Sequence, residues 1–456
     1  MPIPRRSLPS EDELREFYVG RDINSLPKPA IVLDVAKASR HAAQMLQAAQ
    51  SLRVAFRAHV KTHKTTQLAR MQVGESPDAA RFVVSTVAEL EHMVPVFEDF
   101  TRNGRAVDVL YGIPIPPSQI VRIAKIAIRL RLVSISFLVD HPSQLASLSE
   151  FYDLVGSPAS VFLKVDTGYH RAGLPPSSLN KQGLIQETAQ LESQGKAALA
   201  GLYSHSSLSY KDTTAEQAID NLASEIDGCL EAIAVNAQHF PKDKKLIVSV
   251  GASPQVTSIQ NFAPVSGNAP TGKLATSLQH MSLHPGVELE LHAGVYSVLD
   301  IQQLSTNSRT SLGSFDDEIA VSVVAEVASV YNDGERSQPE ALVAVGVLGL
   351  GREPAAYGGW GVLSRASYPS AGGADGRRLI LERISQEHSI VAWEKMEGDD
   401  NTSHLPPIPL EVGRTVSIFP NHACITGAMY DWYLVVDSSS GSPTRVIDVW
   451  VRASGW

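Results

Sequence analysis

Short apolar runs alternate with amphipathic segments between residues 54 and 296. Eight runs have the β-branched content and the length of strands and end in small or polar residues: 54–61, 82–87, 107–112, 134–140, 161–166, 198–205, 246–251 and 288–296. Apolar residues at helical spacing follow most of them, as at 88–100, 117–130, 142–155 and 214–240. This alternation indicates an α/β protein with parallel strands joined by helices, and eight repeats favour a (β/α)8 barrel of the TIM type. A doubly wound open sheet is the alternative, but no G-x-G-x-x-G sequence follows the first strand.

The pattern changes after residue 300, where strand-like runs continue without helices between them. The runs are 319–331, 341–348, 380–384, 416–419, 433–437 and 444–451, and they are typical of a smaller, mostly antiparallel β domain. We therefore predict a barrel domain over residues 28–303, which includes a short strand at 30–34, and a β domain over 304–456 with residues 1–27 packed on it. Residues 255–284, rich in Ser, Asn, Gly and Pro, are predicted to be a surface insertion.

The composition excludes several functional classes. The 456 residues exceed what one compact core usually covers, which favours two domains. A formal net charge of −9 gives no general attraction for nucleic acid or anionic membranes. No apolar run approaches the roughly 20 residues that span a bilayer, and residues 1–14 lack the apolar core of a signal peptide. Two cysteines, Cys229 and Cys424, are too few for a disulfide framework, so we expect a cytoplasmic protein.

The first of the eight predicted strands has one apolar and one basic face. Val54, Phe56, Ala58 and Val60 alternate with Arg53, Ala55, Arg57, His59 and Lys61. If Lys61 lies beside Arg57 and His59 and is partly removed from water, its charged form is disfavoured and a nucleophilic amine becomes accessible near neutral pH. A lysine that forms a Schiff base needs this environment. The other interpretation is an edge strand whose basic face is solvated, and this segment alone leaves both open.

Polar residues collect at the carboxyl ends of the predicted strands, where a parallel barrel carries its chemistry. They are Lys61; Ser85 and Thr86; Tyr111 and Gly112; Asp140 and His141; Asp166, Thr167, Gly168 and Arg171; Tyr203, Ser204, His205 and Tyr210; Gly251, Ala252 and Ser253; and Gly294, Val295 and Tyr296. Gly251 and Ser253 could offer N–H groups and a hydroxyl to a phosphate, and Gly294 and Tyr296 could complete that cup. Two tyrosines of the set could face an aromatic ring. Each element could also be an ordinary turn or strand end, but their occurrence together favours a site for a charged cofactor.

A histidine and a cysteine stand close together after a strand of the second domain, in Pro420-Asn421-His422-Ala423-Cys424. An imidazole and a thiolate can both bind zinc and would leave positions for water or substrate. Two ligands are fewer than the four of a structural zinc site, so a buried cysteine beside a hydrogen-bonded histidine is the alternative. Glu387 and His388 could support such a site, or could be an ordinary strand-end pair.

Together these motifs resemble those of the D-serine dehydratases and D-threonine aldolases, which share the pyridoxal-phosphate barrel of the alanine racemase type. The similar blocks, in chain order, are Arg57-x-His59-x-Lys61-Thr62-His63-Lys64, Asp166-Thr167-Gly168-x-x-Arg171-x-Gly173, Tyr203-Ser204-His205, Gly251-Ala252-Ser253-Pro254, Gly294-Val295-Tyr296-x-x-x-Asp300, Ser385-Gln386-Glu387-His388, Pro420-Asn421-His422-Ala423-Cys424 and Asp448-Val449-Trp450-Val451-Arg452-x-x-Gly455-Trp456. Their order and spacing agree across both domains, and in particular with the eukaryotic-type, zinc-dependent D-serine dehydratases.

The resemblance implies a homodimeric lyase that removes water from D-serine to give pyruvate and ammonia, with D-threonine as a further substrate. Lys61 would bind pyridoxal phosphate covalently and then remove the α-proton of the substrate, and Lys64 would be only a nearby positive charge. The remaining residues that the resemblance implies are Tyr203 and Tyr210 for the pyridoxal, Gly251, Ser253, Gly294 and Tyr296 for the phosphate, and His422 and Cys424 for a zinc ion that acts on the β-hydroxyl.

Three other functions are compatible with these motifs. A D-threonine aldolase would share the fold, the lysine and the metal but would cleave D-β-hydroxy amino acids to glycine and an aldehyde. A racemase would need a second base, which nothing in the second domain marks clearly. A noncatalytic pyridoxal-phosphate carrier would not need the second domain. Two positions depart from the relatives: His292 stands where alanine racemases carry an arginine facing the pyridine nitrogen, and residues 348–353 lack an acidic-glycine opening.

Overall fold

Seventeen strands and fourteen α-helices are formed by the residues that the computed structural model describes, namely 9–262, 270, 272–369, 376–396 and 405–456. The strands are β1 (Ala30–Asp34), β2 (Ala55–His59), β3 (Ala80–Val84), β4 (Val107–Pro114), β5 (Val133–Val139), β6 (Ala159–Lys164), β7 (Ala197–Tyr203), β8 (Leu246–Val250), β9 (Val287–Ala293), β10 (Val321–Tyr331), β11 (Glu340–Val343), β12 (Gly361–Leu363), β13 (Leu379–Ile384), β14 (Ser389–Trp393), β15 (Thr415–Pro420), β16 (Trp432–Val436) and β17 (Asp448–Val451). The α-helices are α1 (Glu11–Tyr18), α2 (Val35–Leu52), α3 (Thr66–Val73), α4 (Val87–Arg102), α5 (Ile120–Arg129), α6 (Leu145–Val155), α7 (Leu184–Ser193), α8 (Ala215–Val235), α9 (Ser253–Thr257), α10 (Gly272–Ser282), α11 (Ile301–Ser305), α12 (Phe315–Glu318), α13 (Val347–Leu350) and α14 (Ala423–Gly427). Short 3-10 helices occupy Ile23–Ser25, Pro117–Gln119, Pro142–Gln144, Pro176–Ser178, Lys181–Gly183, Leu208–Lys211, Ala237–His239, Ser258–Phe262, Val295–Ser297 and Arg365–Ser367.

The chain divides into two compact units. The barrel unit consists of His41–Ser297, Thr306–Leu312 and Ala453–Trp456, and the β unit consists of Met1–Arg40, Val298–Ser305 and Gly313–Arg452. In the part of the chain that is described, no helix is both long enough and apolar enough to cross a membrane.

Strands β2 to β9 form the closed barrel, and every neighbouring pair is parallel. All eight predicted strands are present, and the predicted fold class, a (β/α)8 barrel with an antiparallel β domain, is confirmed. One face of the strands packs in the large cluster shared with the helices; Val83, Leu110, Leu138, Phe162 and Tyr203 form a separate cluster on the inner face. Because a closed barrel has no edge strand, the solvated-edge interpretation of residues 53–61 is wrong.

The β unit contains one sheet of nine strands in the order β11-β14-β13-β12-β15-β10-β1-β16-β17. Neighbouring strands are antiparallel except β1 and β16, which are parallel. Helix α1 lies beside β17, and Arg15 Nε donates to Asp448 Oδ1 at 2.9 Å. Residues 1–8 lie outside the described part of the chain.

Two predictions about chain organisation are corrected. We expected the barrel domain to begin at residue 28, but β1 pairs with β10 and β16 in the sheet of the β unit. Its run of apolar residues shows that both faces are covered and says nothing about which strands are its neighbours.

Residues 255–284 were expected to form a surface insertion. Instead α9, the 3-10 helix Ser258–Phe262 and α10 occupy most of this range, and Val256, Ile259, Leu274 and Met281 belong to the barrel core. The Ser, Asn, Gly and Pro residues that suggested an insertion are concentrated at 263–272, and 263–269 and 271 lie outside the described residues.

Candidate active site

Lys61 lies in the turn that follows β2, at the carboxyl end of the barrel strands. Its side chain is half-buried, and within the described residues no carboxylate forms an ion pair with it. Lys64 differs, because its Nζ lies 3.1 Å from Oε1 of the buried Glu89. Of the two lysines in the motif, Lys61 is therefore the one whose amine is not engaged by a neighbouring carboxylate.

Buried hydrogen bonds that the motif did not reveal hold this turn in place. His63 Nδ1 lies 3.1 Å from Thr65 Oγ1, and His63 Nε2 lies 2.9 Å from Gln72 Oε1. The amide nitrogen of Gln72 lies 3.4 Å from the backbone oxygen of Gly294. His63 and Gln72 thus connect the turn after β2 with the segment after β9.

Three imidazoles, those of His59, His205 and His292, meet near the ends of β2, β7 and β9. Their ring nitrogens lie within 4.8 Å of one another, and His205 Nδ1 lies 3.3 Å from His292 Nε2. Burial lowers the pKa of each histidine well below its usual range, and nearby positive charges, Lys61 among them, lower it further. All three imidazoles are therefore neutral at pH 7.

A group of three histidines could hold a metal ion, but the charges around this group favour an anion. Besides Lys61, Arg171 lowers the pKa of His59 and His205, and Lys164 lowers that of His292. A metal cation among these groups would be repelled, whereas a phosphate or a carboxylate would be attracted. The cluster therefore suits an anionic cofactor and substrate.

The proton on His292 can be placed from its neighbours. Ser249 Oγ donates its hydrogen to Glu290 Oε1 at 2.7 Å, and His292 Nδ1 lies 3.1 Å from the same hydroxyl oxygen. Because the hydroxyl has one hydrogen, Nδ1 must carry the proton that completes this contact, and Nε2 keeps a lone pair. Where alanine racemases carry a cationic arginine, this chain therefore has a neutral histidine, and its Nε2 can accept a hydrogen bond.

Arg57 does not act on Lys61 in the way that we expected. The guanidinium is completely buried and donates to Glu290 at 2.6 and 3.1 Å and to Asp108 at 3.1 Å through two nitrogens. Although burial lowers the pKa of Arg57, the charges of Asp108 and Glu290 outweigh this effect and raise it. The basic face of β2 therefore presents a neutralised arginine and the neutral His59 to Lys61.

Gly251, Ser253 and Gly294 lie together where β8 and β9 end. The N–H of Gly294 donates to Ser253 Oγ at 3.3 Å. A Cβ added to Gly251 would lie 2.3 Å from the backbone oxygen of His292, and one added to Gly294 would lie 2.8 Å from His59 Cβ. Tyr296, which is buried, follows in the 3-10 helix Val295–Ser297. The two glycines are required because neighbouring atoms pack too closely for any side chain, and the Ser253 hydroxyl and the backbone N–H groups at this end of β8 and β9 are donors that fit a phosphate.

The two tyrosines expected near the pyridoxal lie in different environments. Tyr203 is buried, stacks on His292 with 4.2 Å between ring centroids, and its hydroxyl lies 3.0 Å from His59 Nε2. Tyr210 is half-buried in the 3-10 helix Leu208–Lys211. Tyr203 therefore orients two of the three histidines, a role that the sequence did not predict for it.

Two buried charged residues support the end of β7 and were not singled out in the sequence. Glu225 on α8 accepts from Ser204 Oγ at 2.7 Å, from the N–H of Ser206 at 2.6 Å and from the Gln255 amide. Lys164 Nζ lies 4.9 Å from the centre of the Tyr203 ring, and burial lowers the pKa of Lys164 to about 8. The only sign of Glu225 in the sequence is that a carboxylate stands among the apolar positions of an amphipathic helix.

In the β unit, residues 420–424, which we call the His-x-Cys turn, connect β15 to α14. His422 and Cys424 flank Ala423, whose N–H donates to Asp300 Oδ2 at 2.8 Å. Although burial lowers the pKa of His422, the neighbouring Cys424, Asp300 and Glu353 raise it to about 9. The turn therefore favours positive charge, in contrast to the histidine cluster of the barrel.

The His-x-Cys turn also fits a metal ion by its donor atoms. His422 Nδ1 is buried and has no hydrogen-bond partner among the described residues. Imidazole nitrogen and thiolate sulfur are the donors that zinc prefers. Glu387 and His388, in contrast, are exposed in the connection between β13 and β14, so the strand-end interpretation holds for them.

Two family models match the chain. Residues 33–264 match the alanine racemase N-terminal domain, and residues 320–436 match the family described as "Putative serine dehydratase domain". The chain is 32% identical to the D-serine dehydratase of Schizosaccharomyces pombe over 454 residues, which cover 98% of this chain and 96% of that protein.

Solved structures show the same architecture. The D-threo-3-hydroxyaspartate dehydratase from Delftia sp. HT23 is 25% identical with a TM-score of 0.71, and the alignment covers 95% of this chain and 100% of that one. A histidine-to-alanine mutant of that enzyme has been solved, as has a cysteine-to-alanine mutant in the metal-free form. The D-threonine aldolase from Filomicrobium marinum, 21% identical with a TM-score of 0.66 over 95% of this chain and 97% of that one, shares the fold.

Proposed function

The chain belongs to the D-serine dehydratase family, and we propose that it is a pyridoxal-phosphate-dependent lyase that eliminates water from D-serine to give pyruvate and ammonia. The observation that carries this proposal is the environment of Lys61: an amine at the end of a barrel strand that has no carboxylate partner among the described residues and whose charge acts on a cluster of three neutral imidazoles. A Schiff-base lysine requires an amine that can lose its proton, and an ion pair would oppose that loss.

Each group of the barrel has a role in this reaction. Lys61 is the covalent attachment point for the cofactor and takes the α-proton of the substrate as a general base. Gly251, Ser253 and Gly294 hold the phosphate, and His292 offers a neutral acceptor. Bound pyridoxal phosphate supplies an electron sink for the pair of electrons that the lost proton leaves behind. Tyr203 and Tyr210 remain proposed as pyridoxal contacts, with Tyr203 acting partly through His59.

We also propose that His422 and Cys424 bind zinc. The fit of the donor atoms supports this, because the buried Nδ1 of His422 has no hydrogen-bond partner among the described residues and Cys424 is two residues away. Zinc supplies Lewis-acid chemistry, which makes a β-hydroxyl a better leaving group. The pair's contribution here is to hold the ion and to leave further coordination positions open.

Three further properties remain predictions: a homodimer, a cytoplasmic location and activity on D-threonine. The aldolase alternative rests on structures less than 25% identical, which share the fold alone, whereas the curated relative at 32% identity is a dehydratase. A homodimer would give twice the chain mass of 49.1 kDa in light scattering after size-exclusion chromatography.

The test is to incubate the purified protein, loaded with pyridoxal phosphate and zinc, with D-serine and with D-threonine. We expect pyruvate and ammonia from D-serine, measured by coupled reduction of the keto acid. Release of glycine and acetaldehyde from D-threonine, with no keto acid from either substrate, would instead identify an aldolase.

The lysine assignment is tested by two matched variants. Lys61→Arg and Lys64→Arg both keep a positive charge and remove a primary amine. Lys61→Arg should lose the visible absorption of the bound cofactor and lower turnover by roughly 100- to 10,000-fold, whereas Lys64→Arg should keep both. Retention of the visible band by Lys61→Arg would show that the attachment point is another residue.

A further inference from the structure

Asp300 is a buried carboxylate that lies between two chain segments of the β unit. The side chain is completely buried, and it directly precedes α11. Its Oδ1 accepts from the N–H of Gln303 at 2.9 Å, and its Oδ2 accepts from the N–H of Ala423 at 2.8 Å. Next to it, the N–H of Gln302 donates to the backbone oxygen of Asn421 at 3.1 Å. The segment from Asp300 to Gln303 therefore holds the His-x-Cys turn by two hydrogen bonds.

Other buried carboxylates of the β unit have cationic partners. Glu340 lies against Arg336 and Arg383, and Glu318 lies 3.3 Å from Arg40. Asp300 has no lysine or arginine partner within the described residues, and two backbone N–H groups are its hydrogen-bond donors. Because an unpaired buried charge is costly, this environment suggests that a cation completes it.

A group that could carry that cation is His422, which directly precedes Ala423 and whose imidazole interacts electrostatically with Asp300. A metal on the His-x-Cys turn would have one neutral ligand, His422, and one thiolate, Cys424. With the Asp300 carboxylate the local charge is −2, which a divalent cation neutralises. Glu353 also faces His422, but its side chain is half-exposed, so water screens its charge more strongly.

We propose that Asp300 is a positioning residue of the metal centre: its carboxylate fixes the His-x-Cys turn through Ala423 and supplies the second negative charge that a divalent cation neutralises. This inference rests on the proposed function, because it takes His422 and Cys424 as the metal ligands. Residues that orient metal ligands typically change metal affinity by about 10- to 100-fold when they are replaced.

The test compares Asp300→Asn with Glu340→Gln in the full chain. Both replace a buried carboxylate of the β unit by its amide, but Glu340 is already paired with two arginines. Zinc affinity is measured by competition with a chromophoric chelator, which reports binding without any turnover. We expect Asp300→Asn to weaken zinc binding by about 10- to 100-fold and Glu340→Gln to leave it within about twofold of wild type.

Thermal unfolding of the proteins without and with added zinc separates this role from a purely structural one. Metal-free Asp300→Asn should unfold at a somewhat lower temperature than metal-free wild type, because an amide can accept only one of the two backbone N–H groups. If Asp300 is balanced by the metal, added zinc should in addition raise the unfolding temperature of Asp300→Asn by less than it raises that of wild type, whereas a purely structural role predicts the same rise in both. A wild-type chain that binds no zinc would overturn the metal part of the proposed function together with this inference. A wild type that binds zinc while Asp300→Asn keeps full affinity would overturn the inference alone.

Discussion

Single residues in the barrel interior have partners that no sequence motif announces. The two carboxylates that neutralise Arg57 come from β4 and β9, which are 51 and 233 residues away along the chain. A buried group of paired charges adds little net stability as a whole. Removal of one member is nevertheless strongly destabilising, because it leaves an uncompensated charge in the interior.

Replacement of Arg57 by methionine should therefore be strongly destabilising, because the buried Glu290 would be left with Arg81 alone as its cationic partner and the half-buried Asp108 would lose its ion pair. We expect the free energy of unfolding in urea to fall by about 3–5 kcal/mol. The matched control is Arg70→Met, which removes an ion pair with Asp99 whose side chains are 39% and 38% exposed. That change should cost roughly 1 kcal/mol or less, and equal losses in the two variants would contradict the assigned role of Arg57.

The candidate cofactor lysine was predictable, but the physical reason for choosing it was not. Lys61 and Lys64 are equivalent in a pattern of basic residues, and only the family resemblance separated them. The structure adds the reason, since Glu89 on α4 engages Lys64. The proton on His292 was equally hidden, because Ser249, which connects it to Glu290 of the same strand, comes from the neighbouring strand β8, and no local pattern contains the register between the two strands.

At the scale of elements, the connection from β8 to α9 depends on Gly251. This residue has φ +150°, and a Cβ there would press against the backbone of β9 at 2.3 Å. Gly104 is a suitable control, because it has φ +78° but nothing within 4 Å of its Cβ position.

We expect Gly251→Ala to lower the affinity for pyridoxal phosphate by at least about tenfold, which corresponds to about 1.4 kcal/mol or more of backbone strain at the proposed phosphate site. Gly104→Ala should cost roughly 1–2 kcal/mol of stability and leave cofactor affinity unchanged. Titration of the cofactor-free proteins by absorbance checks the first effect, and urea unfolding checks the second. Unchanged affinity in Gly251→Ala would remove this glycine from the proposed phosphate site.

Periodicity predicted the barrel strands well and the β unit less completely. The eight barrel strands are five to eight residues long, share a sequence type and alternate with helices, so that the prediction of each strand is strengthened by the others. Strand β12 has three residues, which is too short for an alternating pattern, and β14 is buried at every position, so that neither was predicted. The partner of β1 is fixed by distant strands, and a run of five apolar residues cannot encode it.

At the scale of the whole molecule, the net charge of −9 gives no hint of the field inside the barrel. Lys61, Lys164 and Arg171 surround the histidine cluster and lower the pKa values of its members. At the His-x-Cys turn the neighbouring charges are negative instead, and they raise the pKa of His422. Overall composition reports only the net charge, whereas the location of each charge depends on the fold.

The neutral histidine cluster makes the stability of the cofactor-free protein depend on pH. His59, His205 and His292 stay unprotonated in the folded state, because burial lowers their pKa values, whereas each binds a proton in the unfolded state below its usual pKa of about 6.5. The unfolded state therefore binds more protons, and stability falls as the pH drops through this value. Between pH 6.5 and 5.5 each histidine contributes about 1 kcal/mol to this fall in stability, or roughly 3 kcal/mol for the three together, and the slope approaches about 1.4 kcal/mol per pH unit for each histidine only at lower pH.

Urea unfolding at pH 6.5 and 5.5 measures this slope. The range lies above the usual pKa values of carboxylates, so that histidines dominate it. His205→Gln keeps a polar side chain of similar size and removes one titrating group, and it should therefore lower the change in stability over this pH range by about 1 kcal/mol. His141→Gln is the control, because His141 is exposed and lies outside the cluster. The same slope in wild type and His205→Gln would mean that His205 is protonated in the folded barrel, and the site would then carry one more positive charge beside Lys61 than the geometry assigns to it.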